Sequence, residues 1–274
     1  PPGGVSRTRR HGAMRHLLVT NDFPPKHGGI QSYLWELWRR LPPEDVTVLT
    51  TPHPHAAAWD AGQPYRVVRT PDRERVLLPT PSLRRRVDDL ADEVGAGLVL
   101  LDPALPVGAL GPSLRHPYGL VVHGAEVTVP GRLPGSALAL RRVLRGARLV
   151  VAAGGYPLAE AERCAGRRLP SVVVPPGVDV DRFGPLDPAQ RAAARHRFGL
   201  DPGAVVVLGL SRLVPRKGFD VLLRAAAEVP GAQVVIGGAG RDARRLRGLA
   251  APLGDRATFL GRVPGDDLPA LYCC

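Results

Sequence analysis

Short runs of β-branched and leucine residues alternate with helix-length segments along the chain, and this alternation limits the accessible folds more than any other feature. Strand-like runs at His16–Thr20, Val46–Thr50, Tyr65–Arg69, Gly97–Leu101, Gly119–His123, Leu149–Ala152 and Ser171–Val174 are separated by helical patterns. The clearest of these are Gly29–Arg40, Ser82–Val94, Ala137–Arg145 and Tyr156–Ala165. Such alternation marks βαβ units that build a parallel sheet. Leu17-Leu18-Val19 and Val172-Val173-Val174 are unbroken apolar runs, as strands covered on both faces tend to be.

The pattern breaks at Pro175-Pro176-Gly177 and stays irregular through Asp179, Asp181, Phe183 and Pro185. Paired prolines and glycine punctuate structure, so a linker is expected over 176–187. Alternation then resumes: helix at Pro188–Phe198, strand at Ala204–Gly209, helix at Gly218–Glu228, strand at Gln233–Ile236, helix at Arg241–Leu253, strand at Ala257–Leu260, and a helix start at Asp266–Tyr272. A length of 274 residues suits two domains. The expected division is an N-terminal α/β domain over 14–175 and a C-terminal one over 188–274. With three strands where such sheets usually have five or six, the second domain reads as incomplete. Residues 1–13 precede Met14, the only methionine, and read as a non-native or disordered leader.

The formal net charge is +12, yet only two of the 37 basic residues are lysines, Lys26 and Lys217. With 32 glycines and 30 prolines, this arginine excess reflects GC-rich coding as much as any polyanionic partner. No nucleic-acid-binding motif accompanies it, so no nucleic-acid partner is expected. No apolar run reaches membrane-spanning length and no signal-peptide core follows the N-terminus. Cys164, Cys273 and Cys274 offer neither a disulfide framework nor metal-ligand spacing, consistent with a reducing, cytoplasmic setting.

Four segments carry chemistry. The first strand runs into Asn21-Asp22-Phe23-Pro24-Pro25-Lys26-His27-Gly28-Gly29-Ile30-Gln31. Paired glycines opening a helix let a ligand approach backbone N–H groups that favour anions, although a plain strand-to-helix turn gives the same pattern. His123 closes a strand at the carboxyl edge where open α/β sheets bind ligands. A structural histidine bonded to a loop would look alike.

In Gly209-Leu210-Ser211-Arg212-Leu213-Val214-Pro215-Arg216-Lys217-Gly218, a strand empties into a loop with Arg212 and Lys217 five residues apart, just before a helix. A guanidinium fork, an ammonium and a helix N-terminus together suit a diphosphate, against the alternative of an exposed basic loop. Gly237-Gly238-Ala239-Gly240-Arg241-Asp242-Ala243 satisfies G-x-G-x-x-A, but no acidic residue ends the next strand, Phe259-Leu260-Gly261-Arg262. A tight phosphate- or sugar-side turn therefore fits better than a dinucleotide site. Arg141, Arg145 and Arg148, with Arg142 alongside, are expected on one helix face. Either they are simply solvated, or they dock the protein on an anionic membrane.

In combination and in this order, these motifs resemble glycosyltransferase family 4, the retaining GT-B enzymes. The likeness is strongest to the bacterial phosphatidylinositol-mannoside and other lipid-directed mannosyltransferases, over about residues 16–272. The residues that carry it are Thr20 to Tyr33, Val122-His123-Gly124-Ala125-Glu126, Val174 to Asp179 with Phe183, Ser211-Arg212 through Lys217-Gly218, and Phe259-Leu260-Gly261-Arg262-Val263. The resemblance implies two Rossmann-like α/β domains with parallel sheets facing across a cleft. It also implies transfer of a sugar, mannose from GDP-mannose by this subgroup, to a lipid or glycolipid acceptor. Gly28 and Gly29 would approach the donor diphosphate, and Arg212 and Lys217 would bind it. His123 would contact the transferred sugar, Gln31 the acceptor, and Val263 and the Gly238 turn the nucleotide. No metal and no cofactor are implied, and Asp179-Val180-Asp181 falls in the linker rather than at a metal site. The setting implied is cytoplasmic, peripheral to the inner face of the membrane.

One departure stands against the resemblance. The family carries a pair of glutamates eight positions apart in its second domain, whereas this sequence has none after Glu228. The expectation is a C-terminally truncated enzyme that binds donor weakly and turns over little. The alternatives are an inactive remnant serving as a binding module and, less well supported, an NAD-dependent oxidoreductase using the turn at 238–243.

Overall fold

The computed structural model describes residues 14–72 and 74–274. The leader expected over 1–13 lies outside them. The chain divides into two compact units, one ending at Pro176 and the other running Gly177–Cys274.

The first unit is a seven-stranded sheet among the described residues. Its strands are β1 (His16–Thr20), β2 (Val46–Thr50), β3 (Arg66–Arg69), β4 (Leu98–Asp102), β5 (Tyr118–Val122), β6 (Leu149–Ala152) and β7 (Ser171–Val173). They lie in the order β3-β2-β1-β4-β5-β6-β7. Every pairing is parallel. Strand order therefore reverses between β1 and β4, where an open α/β sheet leaves a crevice at the carboxyl ends. At that end Thr20 is the register partner of Asp102.

Helices α1 (Gly29–Trp38), α2 (Ala56–Ala61), α3 (Pro81–Val94), α4 (Ala125–Thr128), α5 (Pro134–Gly146) and α6 (Gly155–Ala165) belong to this unit. The central strands are buried on both faces. The edge strand β7, expected from Val172-Val173-Val174 to be covered, leaves Val172 and Val173 each 43% exposed, because no further strand flanks it among the described residues. Side-chain alternation divides the sheet. Leu17, Val19, Leu101 and Leu120 join Val87, Leu90, Leu140 and Leu144 in one core. Leu18, Val48 and Val121 join Tyr33, Leu34 and Trp38 in the other. Local chemistry fixes helix ends as well: Thr80 caps α3 by accepting from the Leu83 N–H, and Gly95 ends that helix at φ 63°.

The second unit contains α7 (Pro188–Arg197), β8 (Val205–Leu210), α8 (Phe219–Ala227), β9 (Ala232–Gly237), α9 (Ala243–Ala250), β10 (Ala257–Gly261) and α10 (Leu268–Tyr272). Its strands are parallel in the order β10-β9-β8. The central β9 buries Val234 and Ile236 against Phe219, Leu223 and Leu246. Val235 packs on the other side with Leu200 and Leu271. Asp187 and Gln190 form a reciprocal capping box at the start of α7. The stretch expected as a linker is anchored to this unit: Arg182 donates to the Gly265 carbonyl, and Phe183 meets Tyr272 edge-on at 6.1 Å.

Two details differ from the sequence reading. The helix expected over Arg241–Leu253 ends at Ala250 and continues as 3-10 turns in which Gly254 is non-helical. Arg148 lies beyond the end of α5 at Gly146, in the turn to β6, so it does not share a helix face with Arg141 and Arg145. Arg145 is itself engaged, its Nε donating to the Ala165 carbonyl at 2.8 Å.

Candidate active site

In the first unit the polar groups collect where β1, β4 and β5 end. Asp102, fully buried, closes β4. Its Oδ2 accepts from Thr20 Oγ1 at 2.6 Å, and its Oδ1 lies 2.8 Å from His123 Nε2. Thr20 Oγ1 in turn accepts from the Asp22 N–H at 2.9 Å. His123 follows β5, its side chain 9% exposed, with the Tyr33 ring edge-on at 5.3 Å. The Tyr33 hydroxyl donates to the Val174 carbonyl at 2.8 Å. Glu126 on α4 reaches back to accept from the N–H groups of His123 and Gly124, where φ is 144°.

These contacts set the charges. Burial opposes protonation of His123. The hydrogen bond that His123 donates to Asp102 and the fields of Asp102, Glu126 and Asp22 outweigh it, and hold the imidazole above its ordinary range. Burial, reinforced by Asp102, pushes the Asp22 carboxyl up, against the opposing pull of Lys26, His123 and Gln31. Burial and the nearby Arg69 guanidinium push the Lys26 ammonium down.

Gln31 is tied to this network, its Nε2 donating to Asp22 Oδ1 at 2.5 Å. The two glycines before it differ. A Cβ on Gly28 would stand 2.2 Å from Gln31 Oε1, whereas one on Gly29 would meet nothing within 4 Å. Gly29 thus leaves open backbone at the start of α1, a helix end that no side chain caps. Lys26 Nζ is turned inward, donating to the Asn21 carbonyl at 2.9 Å and to Thr51 Oγ1 at 2.6 Å.

In the second unit, β8 leads into Ser211–Gly218, and a 3-10 turn at Pro215–Lys217 runs into α8 through Gly218 at φ 70°. Arg212, Arg216 and Lys217 are exposed. Among the described residues, none of the three side chains is engaged in an ion pair or hydrogen bond. The glycine-rich turn after β9 lies against this loop. Ser211 N donates to the Gly237 carbonyl at 3.1 Å, Leu213 N to Ala239 at 3.0 Å, and Asp242 N to Leu213 at 3.1 Å. A Cβ on Gly238 or Gly240 would stand 1.8 or 2.2 Å from the Ser211 or Leu213 carbonyl oxygen. That close approach gives the G-x-G spacing a purpose that needs no dinucleotide. Val263, just past β10, packs against the same turn, its Cγ2 2.9 Å from where a Gly237 Cβ would be.

The residues singled out from sequence therefore gather in two places. Gly28, Gly29, Gln31 and His123 lie at the carboxyl edge of the first sheet, and Arg212, Lys217, Gly238 and Val263 at that of the second. Motif reading includes Thr20, Asp22, Tyr33 and Glu126 without giving them a role, and overlooks Asp102 altogether. Asp102 was within reach, because an acidic residue ends the apolar run Leu98-Val99-Leu100-Leu101 at the carboxyl edge of a central strand.

Two Rossmann-like α/β units, each with its polar groups at the carboxyl ends of parallel strands, define the GT-B class. The family profile "Glycosyl transferases group 1" matches residues 190–273. The chain is 39% identical over 271 residues to the GDP-mannose-dependent alpha-(1-6)-phosphatidylinositol monomannoside mannosyltransferase of Mycolicibacterium smegmatis, a match spanning 93% of this chain and 69% of that protein. It is 34% identical over 262 residues to the monoacylated-acceptor counterpart from Corynebacterium glutamicum, spanning 92% of this chain and 68% of that one. Among solved structures, Anabaena HepE in complex with UDP superposes with a TM-score of 0.77 at 22% identity, over 95% of this chain and 72% of that chain. The chain belongs to the group 1 glycosyltransferases, and within them to the family of the phosphatidylinositol-mannoside mannosyltransferases.

Proposed function

We propose that this glycosyltransferase moves mannose, with retention, from GDP-mannose to a lipid-linked acceptor of the phosphatidylinositol mannoside type. The observation that carries the reading is the pair Arg212 and Lys217 at the carboxyl end of β8, unpartnered among the described residues, in a chain so similar to GDP-mannose-dependent enzymes.

Cleavage of the bond between mannose C1 and the phosphate oxygen builds negative charge on departing GDP and oxocarbenium character on the sugar. A planar guanidinium, an ammonium and the N–H groups opening α8 stabilise that leaving group without reorganising. The acceptor hydroxyl forms the new bond to C1 on the face GDP vacates and gives its proton to the departing phosphate oxygen, so no protein nucleophile is required. His123 donates a hydrogen bond to a hydroxyl of the transferred sugar. Gly28 and the open backbone at Gly29 serve the diphosphate, and Gln31 the acceptor. Gly238 and Val263 present backbone to the nucleotide.

Among the described residues, no helix is long and apolar enough to cross a membrane. The reading places the protein in the cytoplasm, at the inner membrane face where such an acceptor resides. On α5, Leu138 is 72% exposed, and Arg141 and Arg142 are exposed beside it. Val129 and Leu133 add exposed apolar surface just before the helix. A mixed apolar and cationic surface of this kind suits an anionic bilayer. Arg145 and Arg148 contribute charge from its margin.

Radiolabelled transfer tests the reading. GDP-mannose, UDP-glucose and ADP-glucose are each incubated with the protein and phosphatidylinositol mannoside, while GDP, UDP and ADP are titrated calorimetrically. Mannosylated glycolipid and selective GDP binding support it. Preference for UDP or ADP, or transfer of another hexose, overturns it.

A further inference from the structure

Asp102 has no place in the sequence motifs, yet it is the most completely enclosed acid at the carboxyl edge of the first sheet. It stands at the switch point, in register with Thr20. Both of its oxygens are used by side chains: Oδ2 by the Thr20 hydroxyl at 2.6 Å, and Oδ1 by His123 Nε2 at 2.8 Å. A carboxylate held on one side by a hydroxyl from a neighbouring strand has little freedom to turn, so it dictates where the imidazole points. The ring is further confined by the edge-on Tyr33 at 5.3 Å. With Nε2 committed to Asp102, Nδ1 is the ring nitrogen without a protein partner among the described residues.

We propose that Asp102 is the positioning residue for His123. Seated by Thr20, it takes the hydrogen bond from Nε2 and fixes the imidazole so that Nδ1–H is the donor offered to a substrate hydroxyl. The role in catalysis rests on the mannosyl-transfer reading, whereas the control of His123 does not.

The charged neighbours give the arrangement a second consequence. His123 faces Asp102 from β4, Glu126 from α4, Asp22 from the loop after β1, and the Tyr33 phenol from α1. The acids together overcome the burial that would keep the ring neutral. An imidazolium carries a proton on both nitrogens, so it can donate to Asp102 and to a ligand at the same time. A neutral imidazole can do only one of these. Asp102 therefore fixes the direction of the donor and favours the protonated ring that can serve both partners. Carboxylates that orient a functional histidine through its far nitrogen act in the same way, and their loss typically lowers activity about 10–100-fold.

The test pairs spectroscopy with kinetics on Asp102→Asn, and on Thr20→Val should the first variant fail to fold. The His123 imidazole is titrated by NMR in the protein without ligands, its signal assigned by its loss in His123→Gln. In Asp102→Asn the His123 midpoint is expected to fall by about a unit or more, since burial is then opposed only by the fields of Glu126 and Asp22. Thr20→Val should lower it by less, with a broader ring signal. In the transfer assay, kcat is expected to drop about 10–100-fold with donor KM changed less than threefold, and the alkaline limb of the pH profile to move to lower pH. An unchanged His123 midpoint in a folded variant overturns the proposal, as does a shifted midpoint with wild-type kcat and pH profile. Absence of mannosyl transfer in the wild-type protein strikes the functional reading instead, and the titration still decides whether Asp102 governs His123.

Discussion

Gly238 passes so close to Ser211 that a Cβ on the glycine would stand 1.8 Å from the serine carbonyl oxygen, inside any van der Waals contact. Its φ of 132° is a second demand that side chains rarely meet. Gly240 repeats the approach beneath Leu213, and three backbone hydrogen bonds join the two loops. The glycine-rich turn after β9 is thus the seat on which the Arg212 loop is set.

Substitution at that seat should be costly. Gly238→Ala is expected to lower unfolding free energy by about 3 kcal/mol or more, since strain and clash add. Gly199→Ala is the control, because φ there is 66° but a Cβ would meet nothing within 4 Å. It should cost only about 1–2 kcal/mol. Urea unfolding of both variants measures the contrast, and equal losses would show that the loop approach is unimportant.

The cations themselves should behave in the opposite way. Arg212 and Lys217 are exposed, so Arg212→Ala and Lys217→Ala should leave stability within about 0.5 kcal/mol. Each charge-assisted hydrogen bond to a diphosphate contributes about 1.5–3 kcal/mol, so each variant should bind GDP about 10–100-fold more weakly. Calorimetric titration at two salt concentrations checks this. GDP affinity unchanged in both variants would remove the central support for the donor site.

Much of this architecture is legible in the sequence. The ten strands among the described residues lie within a residue or two of the runs read from sequence, most of them because buried parallel strands are largely apolar; the edge strand β3, Arg66-Val67-Val68-Arg69, is the exception. The Arg212–Lys217 loop is also visible, since its residues act individually and are adjacent in the chain. What stays hidden depends on register. Asp102 reaches His123 across 21 residues and Thr20 across 82, and only the order β1-β4-β5 brings the three together. Short helices such as α2 and α4 escape because four to six residues carry too little periodicity. Likewise Gly238 reads as a ligand turn from sequence alone, since the Ser211 carbonyl above it belongs to another loop.

Two histidines give stability a pH dependence of opposite sign. His123 titrates above its ordinary value in the fold, so its contribution is complete below about 6.5 and disappears as pH rises through the raised folded value. His16 is displaced the other way, chiefly by burial beside Trp38, and its Nε2 has no hydrogen-bond partner among the described residues. Its contribution is present above about 6.5 and lost as pH falls through the lowered folded value. Urea unfolding at pH 5, 6.5 and 8 separates them. His16→Leu should reduce the loss of stability on going from pH 6.5 to 5, and His123→Gln should reduce the loss on going from 6.5 to 8. Parallel curves for wild type and either variant would refute the corresponding assignment.

Arg69 ties three segments of the first unit together. Its Nε and Nη2 grip both oxygens of Asp60 at 2.7 Å, Nη1 donates to the Thr51 carbonyl at 2.9 Å, and Nη2 also reaches the Pro24 carbonyl at 2.7 Å. With the side chains of Arg69 and Asp60 only 10% and 21% exposed, solvent screens this pair weakly. Arg69→Met leaves an unpaired, partly buried carboxylate and two carbonyls, and is expected to cost about 2–4 kcal/mol. Asp60→Leu added to it should restore part of that loss, because the stranded charge is gone. Pro24 lies in the loop that leads to Gly28 and Gln31, so Arg69→Met should also impair transfer to acceptor. GDP titration should suffer less than transfer, because the cations proposed to hold the diphosphate belong to the other unit and only the Gly28–Gly29 backbone lies in the disturbed loop. A double variant less stable than Arg69→Met would mean that the lost carbonyl bonds, not the orphaned carboxylate, dominate the cost.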